Sequence, residues 1–189
     1  DVWRSQGTPA GYAIIVGSAA ILIGAPADLS VEALRHEGID SIELALLPHH
    51  HRDTSRRAAE LLARGIPVRA PRASAPWLTP AGVDEFWRLA MPLPKPGASL
   101  RERKSSFGLW EYLAHPEGIE GIECDLENDQ VITWRHWTVT TVAAPGHSRD
   151  HIAFVARRRA SSSAAASPII LFAGDSLSAP GKMWSPYTT

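Results

Sequence analysis

The chain has 189 residues, 44% of them hydrophobic and 21% charged, with a formal charge of −1 and a single cysteine. That is enough chain for one well-buried domain of ordinary globular composition. The near-zero charge leaves no electrostatic footprint for nucleic acid and no basic membrane anchor; no apolar run reaches the roughly 18 residues of a transmembrane helix, and one cysteine excludes an internal disulfide.

Asp1 to Gly11 is polar and turn-rich and reads as an irregular lead-in. Tyr12–Val16 and Ala19–Gly24 are short β-prone runs parted by Gly17-Ser18, a hairpin signal. Ser30 can cap a helix over Val31–His36, which Gly38 closes. Ser41–Leu47 is an apolar strand. Thr54 can cap a second helix, Ser55–Arg64, with Ala58, Leu61 and Leu62 inward and Gly65 just past its end. Ile66–Ala70 reads as a short strand, so the order predicts an α/β layered arrangement.

The middle is less regular. Pro71 to Pro80 is proline-rich and predicted as loop; Ala81–Met91 suits a helix with Val83, Phe86, Trp87 and Ala90 inward, and Ser106–Ala114 suits another. From Ile119 the pattern turns to strands: Gly121–Leu126, Val131–Trp134, Trp137–Ala143, Ile152–Ala156 and Ile169–Ala173. Between the last two, Arg157 to Ser167 reads as a flexible, solvated hairpin tip.

Chemistry-bearing residues gather where strands end. Leu44-Ala-Leu-Leu-Pro runs straight into His49-His50-His51-Arg52-Asp53. Along an extended chain alternate side chains share a face, so His49, His51 and Asp53 are expected to point the same way. Imidazoles and a carboxylate so placed suit a borderline-soft metal, with zinc the default. The competing reading is a surface histidine cluster with no ligand role. Val139–Ala144 then runs into Pro145-Gly146-His147-Ser148, with Asp150-His151 following, and Ile169–Ala173 runs into Gly174-Asp175. A metal needs several ligands converging on one point, and strand ends of a shared sheet supply such convergence.

On these three motifs the chain resembles the metallo-β-lactamase fold superfamily, and within it the glyoxalase-II-like metallo-hydrolase branch. That family carries His-x-His-x-Asp-His after a strand, a later Pro-Gly-His-Ser/Thr turn, and Gly-Asp at a following strand end. The likeness runs from about Tyr12 to Ser176. It implies an αββα sandwich, incomplete at its C-terminus, as a single domain over 1–189 with 71–118 as a lid or insert. It implies His49, His51 and His147 as ligands of a first metal, Asp53 as a ligand of a second and the catalytic carboxylate, and Asp175 as the bridge. His50 and His151 match no ligand position. Thr54 stands where the family has the histidine of Asp-His, and Gly24 where it has an aspartate, with Asp28 nearby as a partial substitute.

The implied function is a zinc-dependent hydrolase using a metal-activated hydroxide on an ester, thioester or lactam-type substrate, with one zinc and a weak or absent second. The alternative is a non-catalytic metal-binding or regulatory module that keeps the fold. An iron redox site is set aside because that branch has an acidic residue where His51 stands. The partner expected is a small-molecule substrate, with neither nucleic acid nor membrane. The compartment is left open, with the cytoplasm slightly favoured because the chain shows no signal-peptide pattern.

Overall fold

The computed structural model describes residues 1–90, 117–159 and 168–177, with the backbone alone for 86–90. The chain divides into two compact units, Asp1–Asp125 and Leu126–Thr189.

The first unit is built on a six-stranded sheet in the order β1-β2-β3-β4-β5-β6. Its strands are β1 (Val2–Arg4), β2 (Tyr12–Val16), β3 (Ala19–Ile23), β4 (Ser41–Leu46), β5 (Val68–Pro71) and β6 (Glu123–Leu126), the last ending at the unit boundary. The β2–β3 hairpin turns at Gly17, whose φ of +63° is the left-handed conformation such a turn requires. β3 lies between antiparallel β2 and parallel β4 and is buried at every position, which is why Ala-Ala-Ile-Leu-Ile shows no polar alternation. The register of β4 on β3 slips after Ala20, leaving Glu43 as an extra residue that bends β4 just before its buried end, Ala45-Leu46.

Helix α1 (Val31–His36) begins where Ser30 Oγ accepts the Ala33 amide at 3.0 Å, and it buries Val31 and Leu34. With Ala58 and Leu61 these residues join Ala13, Leu22, Ala45 and Val68 in one apolar core. Truncating Leu22 or Leu61 to alanine costs about 2–5 kcal/mol by the usual cavity penalty. At the edge, Arg69 Nε and Nη2 reach the Asp125 carboxylate at 2.9 and 2.6 Å, a bidentate tie between β5 and β6.

Several elements differ from expectation. Val2–Arg4 is a strand paired with β2; at 3 residues it is too short to show a period. The helix expected over Ser55–Arg64 is two short helices, α2 (Arg52–Ser55) and α3 (Ala58–Ala63). The break has a cause: the Ala25 amide takes the Thr54 carbonyl at 2.7 Å, and the Ala25 carbonyl takes the Arg57 amide at 2.9 Å. Both groups would otherwise serve the i→i−4 ladder. Thr54 is thus inside α2 and does not cap it. The proline-rich stretch holds a 3₁₀ turn (Arg72–Ser74) and α4 (Ala75–Leu78), with Pro76 in the first turn where a missing amide is harmless. Next, α5 (Pro80–Ala90) buries Val83. The inward positions of Phe86, Trp87 and Ala90, the helix at Ser106–Ala114 and most of the 71–118 lid lie outside the described side chains.

The second unit holds an antiparallel meander of β7 (Val131–Trp134), β8 (Trp137–Ala143), β9 (Ile152–Arg158) and β10 (Ile169–Phe172), side by side in the order β10-β9-β8-β7. One face buries Trp134, Trp137, Val139, Phe154, Ala156 and Phe172; the other exposes Val131, Val142, Ile169 and Leu171. Among the described residues no helix is long and apolar enough to cross a membrane.

Candidate metal centre

In the first unit, β4 delivers its chain into a bend at Pro48–His50. The three imidazoles that follow are buried: His49 at 0%, His50 at 1% and His51 at 3% exposure, which removes the surface-cluster reading. The rings of His49 and His51 meet edge to face with centroids 4.5 Å apart. His50 meets the His51 ring edge at 4.5 Å and stacks on Trp77 of α4, centroids 4.9 Å apart at 18°. So the His51 ring has both other imidazoles against it at the same distance, and the middle histidine also stacks on a tryptophan.

The loop is held by hydroxyls. The His51 carbonyl accepts from Ser55 Oγ at 2.8 Å, from Thr54 Oγ1 at 3.0 Å and from the Thr54 amide at 3.2 Å. Short polar side chains that return to the backbone in this way fix local turns. Asp53 is exposed, and its Oδ1 accepts the Thr54 amide at 2.9 Å. Gly24, at φ +77°, continues the sheet by donating its amide to the Leu46 carbonyl, and turns the chain so that Ala25 can bridge α2 and α3. A Cβ there would meet nothing nearer than 3.7 Å, but the positive φ strains any L side chain, the aspartate that the family has at this position included. Asp28 is no substitute: its carboxylate accepts the Gly7 amide in the lead-in loop.

In the second unit, β8 ends in a turn closed by backbone bonds: the Ala144 amide donates to the His151 carbonyl at 2.9 Å and the Gly146 amide to the Ser148 carbonyl at 3.2 Å. His147, on this turn, is 4% exposed. Its Nε2 stands 3.7 Å from Asp175 Oδ2, a residue carried by the 3₁₀ turn Gly174–Ser176 after β10. That separation is longer than a hydrogen bond and suits two donors that face a common neighbour. His151 is 1% exposed and its Nδ1 lies 3.2 Å from Ser176 Oγ. Burial, first, and then the His147 charge lower its pKa to about 4, against the opposing pull of Asp150, so it is neutral at pH 7.

Each unit therefore presents metal-ligand chemistry of its own: a buried imidazole pair with an exposed carboxylate after it, and a buried imidazole beside a carboxylate. Imidazole and carboxylate donors fit zinc. Thr54 does not fit, since its hydroxyl serves the His51 carbonyl. The hydroxyls of Thr54 and Ser55 and the buried His151 carry no signal in the motif beyond their closeness in sequence to the histidines, and the His50–Trp77 stack carries none.

A mixed sheet with short helices, a second antiparallel sheet, and histidine and aspartate at their strand ends define the metallo-β-lactamase fold, and the chain has that fold. No family model matches the chain, and no curated protein matches it by sequence. Among solved structures it is similar to BJP-1, a subclass B3 metallo-β-lactamase of Bradyrhizobium japonicum, at 20% identity and a TM-score of 0.57, over 90% of this chain and 57% of that one. It is similar to a metallo-β-lactamase with a HARLDQ motif from Cronobacter sakazakii (Enterobacter sakazakii), at 21% identity and a TM-score of 0.55, over 83% and 57%. It is also similar to LRA-12, a class B3 di-zinc metallo-β-lactamase from an Alaskan soil metagenome, at 15% identity and a TM-score of 0.54, over 86% and 55%. The chain thus spans little more than half the length of these proteins, and at such identities the likeness is one of fold.

Proposed function

We propose that the chain carries the metal site of a zinc-dependent hydrolase, with His49, His51 and His147 as the ligands that the family motif implies for one ion. The observation that carries this is the burial of all three imidazoles at the ends of strands, in the chain order of the family motif. Three imidazole ligands would leave zinc a position for water. Bound zinc would supply a Lewis acid that lowers the pKa of that water toward about 7.

The residues of the chain do the rest. The Thr54 amide donates to Asp53 Oδ1 and so restrains the carboxylate that would take a proton from the water. Asp175, whose Oδ2 lies 3.7 Å from His147 Nε2, would supply a carboxylate ligand in a two-ion form. One ion is favoured over two because Thr54 spends its hydroxyl on the His51 carbonyl. The named neighbours put β-lactams first in a substrate screen, followed by thioesters and other esters. The test is zinc-dependent hydrolysis of a chromogenic cephalosporin and of a thioester, each lost on chelation and restored by zinc.

The commitment of Thr54 also favours a second reading, a non-catalytic module that keeps the fold and one ion. Zinc bound at one equivalent with no hydrolysis across that panel would select it.

A further inference from the structure

His50 is buried between two candidate ligands, yet the family motif gives it no role. Its ring stacks on that of Trp77, 18° between planes and 4.9 Å between centroids, and it meets the His51 ring in a T-shaped contact, centroids 4.5 Å apart at 76°. Trp77 stands on firm ground. Its neighbour Leu78 is fully buried in the core, the Leu78 carbonyl accepts the Ile119 amide at 2.6 Å, and Thr79 Oγ1 closes α4 by donating to the Ala75 carbonyl at 2.8 Å. The backbone of His51 is pinned through its carbonyl by Thr54 and Ser55. That pin does not fix the two side-chain torsions of His51. Contacts against the ring restrain them, and the His49 and His50 rings both lie against it with centroids 4.5 Å away.

We propose that His50 and Trp77 form a stacked pair that orients the His51 imidazole for zinc; His50 is a positioning residue and not a ligand. The proposal rests on the reading of His49 and His51 as ligands. Its physical basis is preorganisation: a ring already held in its binding orientation does not lose that freedom when the ion binds. Aromatic stacking is the device, and π-faces are what it needs. A planar hydrocarbon at position 50 should therefore serve nearly as well as histidine, whereas a ligand role would demand the nitrogens.

The experiment is zinc affinity by competition with a chromophoric chelator, on wild type, His50→Ala, His50→Phe, Trp77→Leu and Trp77→Phe. Denaturant midpoints of the metal-free proteins serve as the fold control. Loss of the stack in His50→Ala and Trp77→Leu should weaken zinc binding about tenfold, in the range seen for groups that orient metal-bound histidines. His50→Phe and Trp77→Phe should stay close to wild type. Trp77 is half-buried, so its variants keep the test alive if His50→Ala fails to fold. Wild-type affinity in Trp77→Leu overturns the proposal while leaving zinc binding intact. A His50→Phe protein as weak as His50→Ala also overturns it, because the nitrogens would then matter. A wild type that binds no zinc refutes the metal reading itself, and this proposal with it.

Discussion

The two histidine-bearing loops reach burial by different means. In the first unit, His49 to Ser55 is held by side chains: two hydroxyls on one carbonyl and a tryptophan against a middle histidine. In the second, backbone bonds from Ala144 to His151 and from Gly146 to Ser148 close the turn, while His147 lies beside Asp175 and His151 beside Ser176. A side-chain clamp can be removed by substitution without breaking the chain's path. A backbone-closed turn cannot, so its sensitivity lies in the titratable groups it buries.

The largest effect should come from the ligands themselves. His49→Ala and His147→Ala should each weaken zinc binding roughly a hundredfold or more, beyond the range of orienting groups. Equal losses would mean that the loops share one ion, and a loss from His49→Ala alone would confine binding to the first unit. Chelator competition reads both.

Next comes pH. His151 has a folded pKa lowered from 6.5 to about 4, so between those values the unfolded chain binds a proton that the folded one does not. Its contribution is fully present above pH 6.5 and is lost as pH falls toward 4, up to about 3 kcal/mol if the whole shift is realised. Urea midpoints of metal-free protein at pH 7, 6 and 5 should fall accordingly, and His151→Gln should flatten the slope. A slope unchanged by that substitution would show that His151 does not titrate in this window.

The first loop responds to its hydroxyls. Ser55→Ala removes the 2.8 Å bond to the His51 carbonyl and should cost about 1 kcal/mol, with a parallel loss in Thr54→Val. Thr54→His should gain no second zinc, because the backbone there directs the side chain to the carbonyl. A second equivalent in metal analysis of Thr54→His would contradict this account of the position. The smallest effect belongs to a tie remote from both loops: a double-mutant cycle on Arg69 and Asp125 should return roughly 0.5 kcal/mol, since Asp125 is 43% exposed and solvent screens the pair.

Much of this was legible in the sequence, for physical reasons. The hairpin, α1 with its Ser30 cap, β7 and β8 follow from alternation, capping and glycine placement, which are local. What eluded it was set by tertiary contact. The split between α2 and α3 depends on Ala25, far back in the chain, and the short β1 exists only because β2 offers it an edge. At the site, spacing and strand context raised His49, His51, His147 and Asp175 as candidates, and the structure adds that the three histidines are buried. The partnership of His50 with Trp77 was not legible, because the two are 27 positions apart and neither belongs to the motif. The role of Thr54 was half legible: its poverty as a ligand follows from its chemistry, but its hydrogen bond to His51 required the fold.

The central claim, that buried histidines from both loops bind a single zinc, is most directly tested by zinc per chain. Plasma mass spectrometry on untagged protein purified without chelator would measure it, in wild type and in His147→Ala. The account predicts about one equivalent in wild type and close to none in the variant. A folded wild-type protein without zinc, or a variant that keeps its full equivalent, would contradict it.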